Sequence, residues 1–337
     1  MAATLKDIAE QVGVHTSTVS RVLRNKETQQ VSPETRSKIL SIAKELNYSP
    51  NQLAQAFRLK KTHTIALIIP DISNAFFAGI AKRIEIESYK AGYNLVVCNT
   101  DEEQEKERRY LENLIKRSID GIIIASAHQE PNKIIKILKN IPFVLLDRCF
   151  ENLKTNAVIS NNEQLSYRAV EHFFSFGHKR IGFICSRKNI FTIKNRLKGY
   201  YNALKKYNLD NDQKLVCGNG FTENDGYLAT KELLSLDNPP TAVLSSGNII
   251  SIGVMKAIHE FGLSIPEDIS IIAFSDSPCA PYWSPPLTTI SHPLEKMGKE
   301  AINLLLENIN KNKKLPHRAI IVDAAFNKRN SVGRVKL

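Results

Sequence analysis

In the first 47 residues apolar side chains recur at helical spacing between recognisable capping residues, a pattern that predicts three short helices. Thr4 followed by Asp7 resembles a capping box, after which Leu5, Ile8, Ala9 and Val12 share a face and Gly13 ends the helix. A second helix is predicted over residues 16–24, burying Val19, Val22 and Leu23. Ser32-Pro33 is a strong start for a third, burying Ile39, Ile42, Ala43 and Leu46. Helices this short must share one core. From Tyr48 the pattern changes: Ser49-Pro50 breaks the chain, Asn51 can cap, and residues 52–59 make a helix too short to stand alone, which reads as a hinge that orders conditionally.

After His63 the register becomes alternating strand and helix. Near-continuous apolar runs at residues 65–69, 95–98, 121–125, 143–146, 157–160, 181–185, 241–244 and 269–274 predict parallel strands covered on both faces. Amphipathic stretches lie between them at residues 77–90, 103–116, 164–176, 193–206, 227–235, 249–261 and 294–309. The expected fold is a small all-α helix-turn-helix headpiece followed by a doubly wound α/β body of two subdomains with parallel sheets. A ligand crevice is expected outside the carboxyl ends of the strands.

The 337 residues are 42% apolar and 24% charged, enough for two or three cores. No apolar string approaches a membrane span, and the N-terminus lacks the continuous apolar segment of a secretory signal, so a cytoplasmic protein is expected. The five cysteines lie far apart with no C-x-x-C pair, and the eight histidines show no zinc-ligand spacing, so reduced thiols, no metal and no cofactor are expected. Lys and Arg exceed Asp and Glu by 46 to 34, a net +12 that favours a polyanionic partner. Residues 1–62 hold ten of those bases against five acids.

The turn Gly13-Val14-His15 before the second helix is that of a helix-turn-helix, whose second helix enters the major groove. Thr16 and Ser17 would then face base edges, and Arg21, one turn on, would reach a guanine or a phosphate. In isolation the motif reads equally well as helix-opening residues and a solvated charge.

Further motifs decide between these. Thr4-Leu5-Lys6-Asp7-Ile8-Ala9, Gly13-Val14, residues 18–23 (TVSRVL), residues 31–36 (VSPETR) and residues 46–51 (LNYSPN), in that order and spacing, resemble the LacI/GalR family of bacterial transcription regulators. The resemblance continues through residues 71–77 (DISNAFF), 119–121 (IDG), 176–182 (FGHKRIG), 196–200 (RLKGY), 265–268 (IPED) and 286–290 (PLTTI). It implies a homodimer that reads a pseudo-palindromic operator, most naturally as a repressor, with a periplasmic-binding-protein-like body whose small carbohydrate-type effector controls the hinge. The implied domains are a DNA-binding headpiece (1–48), a hinge (49–62) and an effector-binding and dimerisation body (63–337). The body's N-subdomain would take 63–161 plus 292–324, and its C-subdomain 162–291 plus 325–337.

Carried over by motif, the DNA-binding set is Thr4, His15, Thr16, Ser17, Thr18, Ser20, Arg21 and Asn25, with Asn51, Ala54, Phe57 and Arg58 from the hinge. Phe57 stands where the family's minor-groove wedge is commonly Leu; both can unstack a base step, and packing against the partner hinge or the body is the alternative. His15 replaces the usual Ser, an expected weakening of the cap that adds a base or phosphate contact. The effector set is Asp71, Asn74, Phe76, Phe77, Arg148, Asn161, Arg196, Phe221, Asn248, Ser275, Asp276 and His292, with Phe221 as a stacking wall.

Several of these depart from sugar-binding relatives. Asn161 stands for an Asp, Gly247-Asn248 for Asn-Asp, and Ser275 for an Asp that reappears one position on as Asp276. With acids thinned and Arg148 and Arg196 retained, unpaired cleft arginines are expected to favour an anionic effector such as a sugar acid or sugar phosphate. Asp147, Asp276 or His292 could compensate.

Two other classes compete. An enzyme on the same body is disfavoured because no nucleophile elbow, P-loop or complete dinucleotide fingerprint is present; Gly218-Asn219-Gly220 lacks the third glycine. A solute-binding receptor serving a transporter is disfavoured by the basic head and the missing signal. The 11 residues from Asn327 hold no apolar heptads, so a tetramer built by a C-terminal bundle is not expected.

Overall fold

The structure, a computed structural model, describes residues 3–23, 31–48, 61–128, 130–138, 141–150, 154–310 and 317–335. It separates into two compact units, residues 1–62 and 63–337.

In the first unit α1 (Leu5–Val12), α2 (Thr16–Leu23) and α3 (Pro33–Glu45) bury Ile8, Ala9, Val19, Val22, Ile39 and Ala43 in one core. The capping box is complete: the Thr4 N–H donates to Asp7 Oδ2 (2.7 Å) and the Asp7 N–H donates to Thr4 Oγ1, while the bonds from the Thr4 N–H and hydroxyl hold the Asp7 carboxyl below its usual range. Gly13 closes α1 with φ +75°, a left-handed conformation that suits a residue without Cβ. Ser32 caps α3 through the Thr35 N–H (3.2 Å), with Pro33 in its first turn.

The body carries two six-stranded sheets. The first has the order β11-β5-β4-β3-β1-β2, from β1 (Thr64–Ile69), β2 (Asn94–Asn99), β3 (Gly121–Ile124), β4 (Phe143–Leu146), β5 (Ala157–Ser160) and β11 (Ala319–Val322). The second has the order β12-β10-β9-β8-β6-β7, from β6 (Ile181–Ile184), β7 (Val216–Cys217), β8 (Ala242–Ser245), β9 (Ser270–Phe274), β10 (Thr288–Ser291) and β12 (Ala325–Asn327). Every pairing is parallel except β10 with β12, which is antiparallel at an edge. The chain changes sheets after β5, after β10 and after β11, so three crossover segments link the lobes.

Helices cover the sheets: α4 (Ala75–Lys90), α5 (Gln104–Lys116), α6 (Pro131–Leu138) and α11 (Leu294–Asn310) on the first, and α7 (Asn162–Ser175), α8 (Phe191–Lys206), α9 (Glu223–Leu234) and α10 (Asn248–Glu260) on the second. β1 is buried along nearly its whole length, as a strand sandwiched between helix layers must be. β2 departs from that expectation, because it is an edge strand and leaves Val96 and Val97 39% and 42% exposed.

Two glycines set how closely the helices of the second lobe approach. A Cβ on Gly199 of α8 would collide with the Glu163 carbonyl of α7, and one on Gly253 of α10 with the Glu223 carbonyl of α9. Both obstacles are backbone and cannot rotate away. Gly199→Ala should therefore destabilise the body by roughly 1–3 kcal/mol, read as a lower thermal midpoint. An unchanged midpoint would show that α7 and α8 can part freely.

Candidate functional site

On the headpiece, α2 presents His15, Ser17 and Arg21 to solvent, with Thr16, Thr18 and Ser20 half-buried beside them. His15, where a weaker cap is expected, nonetheless caps the helix. Its Nδ1 accepts the Ser17 N–H at 3.3 Å and shares a 2.8 Å hydrogen bond with Ser17 Oγ, so the imidazole serves as the capping side chain. Thr4 is exposed, and its hydroxyl donates to Asp7 Oδ2 (2.9 Å). Asn25, Asn51, Ala54, Phe57 and Arg58 lie outside the described residues.

In the body, a cavity of about 450 Å³ opens where strands of both sheets end. After β1 come Asp71, Ser73, Asn74, Phe76 and Phe77; after β2, Asp101 and Glu102; after β4, Asp147 and Arg148. The second lobe adds Ser186 after β6, Ile190 and Arg196 from α8 and the loop before it, Phe221 after β7, Ser246 to Asn248 after β8 and Ser275 after β9. His292 enters just past β10. The strands that contribute, β1, β2, β4, β6, β7, β8, β9 and β10, do so at or beyond their carboxyl ends, the rule for ligand crevices of open parallel sheets.

Ten of the twelve sequence-predicted effector residues line this cavity. The two lobes touch directly across it, for Asn248 Nδ2 donates to Asn74 Oδ1 at 3.2 Å while the same oxygen caps α4 through the Phe76 N–H. The other two predicted residues do not line it. Asn161 bonds Gln164, Asp323 (both 3.0 Å) and the Ala324 N–H, tying the crossover segments together. Asp276 points to Arg329, which meets both its oxygens at 3.0 and 2.8 Å; burial opposes ionisation there, but the arginine outweighs it and the carboxyl stays below its usual range.

Of the two cavity arginines, expected to be unpaired, Arg148 is paired with a carboxylate and Arg196 is held by uncharged acceptors. Arg148 makes a two-pronged bond to Glu102, Nη1 to Oε2 at 2.8 Å and Nη2 to Oε1 at 2.6 Å. Burial works against its charge, yet Glu102 prevails and the guanidinium is held above its ordinary value. Arg196 donates Nε to Asn162 Oδ1 (2.7 Å) and Nη1 to the Ser246 carbonyl (2.6 Å), and its plane lies 4.1 Å from the centre of the Phe274 ring. Burial pushes it down to about 10, opposed by Asp147, so it remains charged at neutral pH.

Asp147 is buried and raised by that burial, with Arg196 and Arg148 pulling the other way; its Oδ1 has no hydrogen-bond partner. His292 is driven down to about 3 by burial and by Arg196. It is therefore a neutral imidazole, sharing a 2.9 Å bond with Ser160 Oγ and meeting Phe76 edge to face at 5.0 Å. Phe221 stands between two guanidiniums, Arg148 at 5.7 Å and Arg187 at 5.2 Å from its ring centre. Glu102, which sequence reasoning missed, thus governs one of the cavity's two cations.

A helix-turn-helix unit joined to a body with a ligand cavity between two strand-end surfaces defines the class of ligand-responsive DNA-binding regulators. The comparisons with known proteins agree. The family model for bacterial regulatory proteins of the lacI family matches residues 4–51, and that for a periplasmic binding protein-like domain matches residues 170–332. The HTH-type transcriptional repressor PurR of Haemophilus influenzae is 34% identical over 309 residues, 91% of either chain. That of Pasteurella multocida is 35% identical over 321 residues, 95% of either chain. The chain belongs to the lacI family of bacterial transcriptional regulators.

Among solved structures, the lac repressor dimer bound to operator and the anti-inducer ONPF aligns with TM-score 0.86 at 25% identity, covering 99% of this chain and 100% of that one. The regulator CelR in complex with cellobiose aligns at 0.74 and 26%, covering 98% and 99%. A LacI family regulator from Enterococcus faecium with bound ribose aligns at 0.73 and 32%, covering 81% and 100%.

Proposed function

We propose that this regulator is a repressor that binds a pseudo-palindromic operator as a homodimer, with affinity set by a small uncharged carbohydrate-type effector in the body cavity. The observation that carries the reading is the cavity itself: residues from both lobes converge on it, and the Asn74–Asn248 bond spans it, so a ligand there biases how the lobes close. Its volume suits a small molecule, and its aromatic walls (Phe76, Phe77, Phe221) and carboxylates suit a ring that carries hydroxyl donors. Asp147 Oδ1, buried without a partner, accepts one of those donors once the ligand seats. The cellobiose and ribose held by two structural neighbours support the same ligand class.

For DNA, the exposed His15, Ser17 and Arg21 enter the major groove, and two headpieces read two half-sites. The bare outer edge of β2, with Val96 and Val97, supplies part of the dimer contact. The effector is bound without covalent change, and the protein works in the cytoplasm where its operator is.

The test is selection from random duplexes by the full-length protein, followed by titration of D-ribose, cellobiose and a wider panel of neutral sugars into the selected complex. We expect an inverted-repeat site, a dimer by light scattering, and at least one sugar that shifts operator affinity. Log affinity for the operator should fall linearly with log salt. Sites without dyad symmetry would reject the dimeric reading, and a complex indifferent to all neutral sugars would reject the ligand class.

A further inference from the structure

The cavity's charge balance rests on a residue outside every motif that pointed to the site. β2 ends at Asn99, and the chain then turns through Asp101 and Glu102, which have φ of +54° and +60°. Two successive side-chain-bearing residues in the left-handed region make a strained corner that persists only where its surroundings hold it. Asp101 is the clamp: it accepts from Asn99 Nδ2 (2.5 Å) and pairs with Lys106. The corner delivers Glu102 to Arg148, 46 positions further along the chain, and the pair is almost closed to water, with side chains 14% and 8% exposed.

We infer that Glu102 is a specificity-determining residue, occupying both terminal nitrogens of Arg148 so that the cavity accepts an uncharged, hydroxyl-bearing ligand and refuses an anion. The inference rests on the reading of this cavity as the effector site.

An anion entering the cavity needs a cation with donors to give. Arg148 directs Nη1 and Nη2 to Glu102, and Nη1 also to the Ser126 carbonyl (3.2 Å), so its two-pronged face is occupied and only its buried Nε is left without a partner. Arg196 is held by Asn162 and the Ser246 carbonyl, and the charge of Asp147 favours its ionised form. The cavity lining as a whole carries five carboxyl groups against two guanidiniums. A carboxylate or phosphate that takes the two terminal nitrogens of Arg148 would have to displace Glu102 from a paired, charge-assisted geometry and leave that carboxylate buried beside it. A hydroxyl group instead donates to the spare lone pairs of the same carboxylates, and the Arg148–Glu102 pair stays intact.

Glu102→Gln keeps the shape and one acceptor oxygen while removing the charge. The experiment compares full-length wild type, Glu102→Gln and the double variant Glu102→Gln/Arg148→Met in thermal melts with inorganic phosphate, against potassium chloride at equal ionic strength. We expect phosphate to raise the midpoint of Glu102→Gln by roughly 2–4 °C more than that of wild type, and the gain to vanish in the double variant. Because the headpiece is the same in all three, its own attraction for phosphate cancels. Glu102→Asp, which restores a carboxylate, should behave as wild type, and Glu102→Ser removes the charge by a second route should the Gln variant fold poorly.

Equal phosphate effects on wild type and the charge-removed variants, no phosphate effect on either Gln or Ser variant, or a gain that survives loss of Arg148 would each overturn the proposal. No DNA is present in the assay. Its failure therefore leaves the operator reading standing, and failure to find an operator would leave this charge selection intact.

Discussion

Arg196→Ala should abolish the response of operator binding to ligand and destabilise the body by roughly 3–5 kcal/mol, the cost of breaking a buried, hydrogen-bonded charge arrangement. The side chain joins three pieces of the second lobe: α8, which carries it, Asn162 at the start of α7, and the Ser246 carbonyl after β8. Truncation strands that carbonyl and the Asn162 amide oxygen, and takes from Asp147 the cation that most opposes the effect of its burial. The last loss has a signature in pH. Without Arg196 the Asp147 carboxyl rises further, so the folded variant takes up a proton that the unfolded chain takes up only at lower pH. The stability deficit should therefore shrink as pH falls, and chemical denaturation at pH 5 and pH 8 measures it. Arg196→Lys keeps the charge but cannot hold Asn162 and Ser246 with one planar fork; it should keep most of the stability and still lose the ligand response. If Arg196→Ala kept full ligand response, the cavity would not be the controlling site.

How much of this was legible in the sequence depends on where each residue's partner lies. The headpiece was readable to the residue at both caps, because Thr4 with Asp7 and Ser32 with Thr35 act over three positions. The buried strands announced themselves as apolar runs for the same local reason. β10 (Thr288–Ser291) did not, since its polar threonines are buried only by tertiary pairing, between β9 and β12, with the Thr288 N–H donating to Ser331 Oγ beyond β12 at 2.8 Å. β11 and β12 are short edge strands with little apolar sequence buried on them, and the two-residue β7 is below what periodicity can detect.

In the cavity, positions that follow a strand were found because strand ends are visible. Charge pairing was not, because it is decided by tertiary geometry. Asp276 was drawn away by Arg329, 53 residues on, and Arg148 was neutralised by Glu102, 46 residues back. Counting acids near arginines along the chain therefore missed the Arg148–Glu102 pair. His15 shows the same limit locally: a residue that ranks low among caps fills the role because its ring nitrogen reaches the Ser17 N–H.

The second large effect concerns Glu107, which the site does not use. Its carboxylate is fully buried on α5, with Oε1 accepting from Ser126 Oγ (2.8 Å) and Oε2 from the Ala127 N–H (2.6 Å), directly beneath the segment whose Ser126 carbonyl receives Arg148. Burial raises it from 4.5 to about 7, against the pull of those two bonds and of Arg148, while Glu102 adds to the rise. His128, 3.9 Å away, offers no compensating charge, for burial and then Lys133 lower its own value.

Between 4.5 and about 7 the unfolded chain has lost this proton and the folded one keeps it, so the contribution of Glu107 to stability falls as pH rises through that window and is level above it. The span corresponds to roughly 3 kcal/mol. His292 slopes the other way. Its folded value of about 3 lies below the ordinary 6.5, so the unfolded chain binds the extra proton and stability rises with pH between them. The two cancel over much of the acid range in the wild type.

Glu107→Gln separates them: its amide oxygen accepts from the Ala127 N–H, its amide nitrogen donates to the rotatable Ser126 hydroxyl, and it has nothing to titrate. Relative to wild type the variant should gain roughly 3 kcal/mol between pH 5 and pH 8, because the opposing Glu107 contribution is gone. A wild-type-minus-variant difference that is the same at both pH values would mean that Glu107 is ionised throughout, with water reaching its buried side.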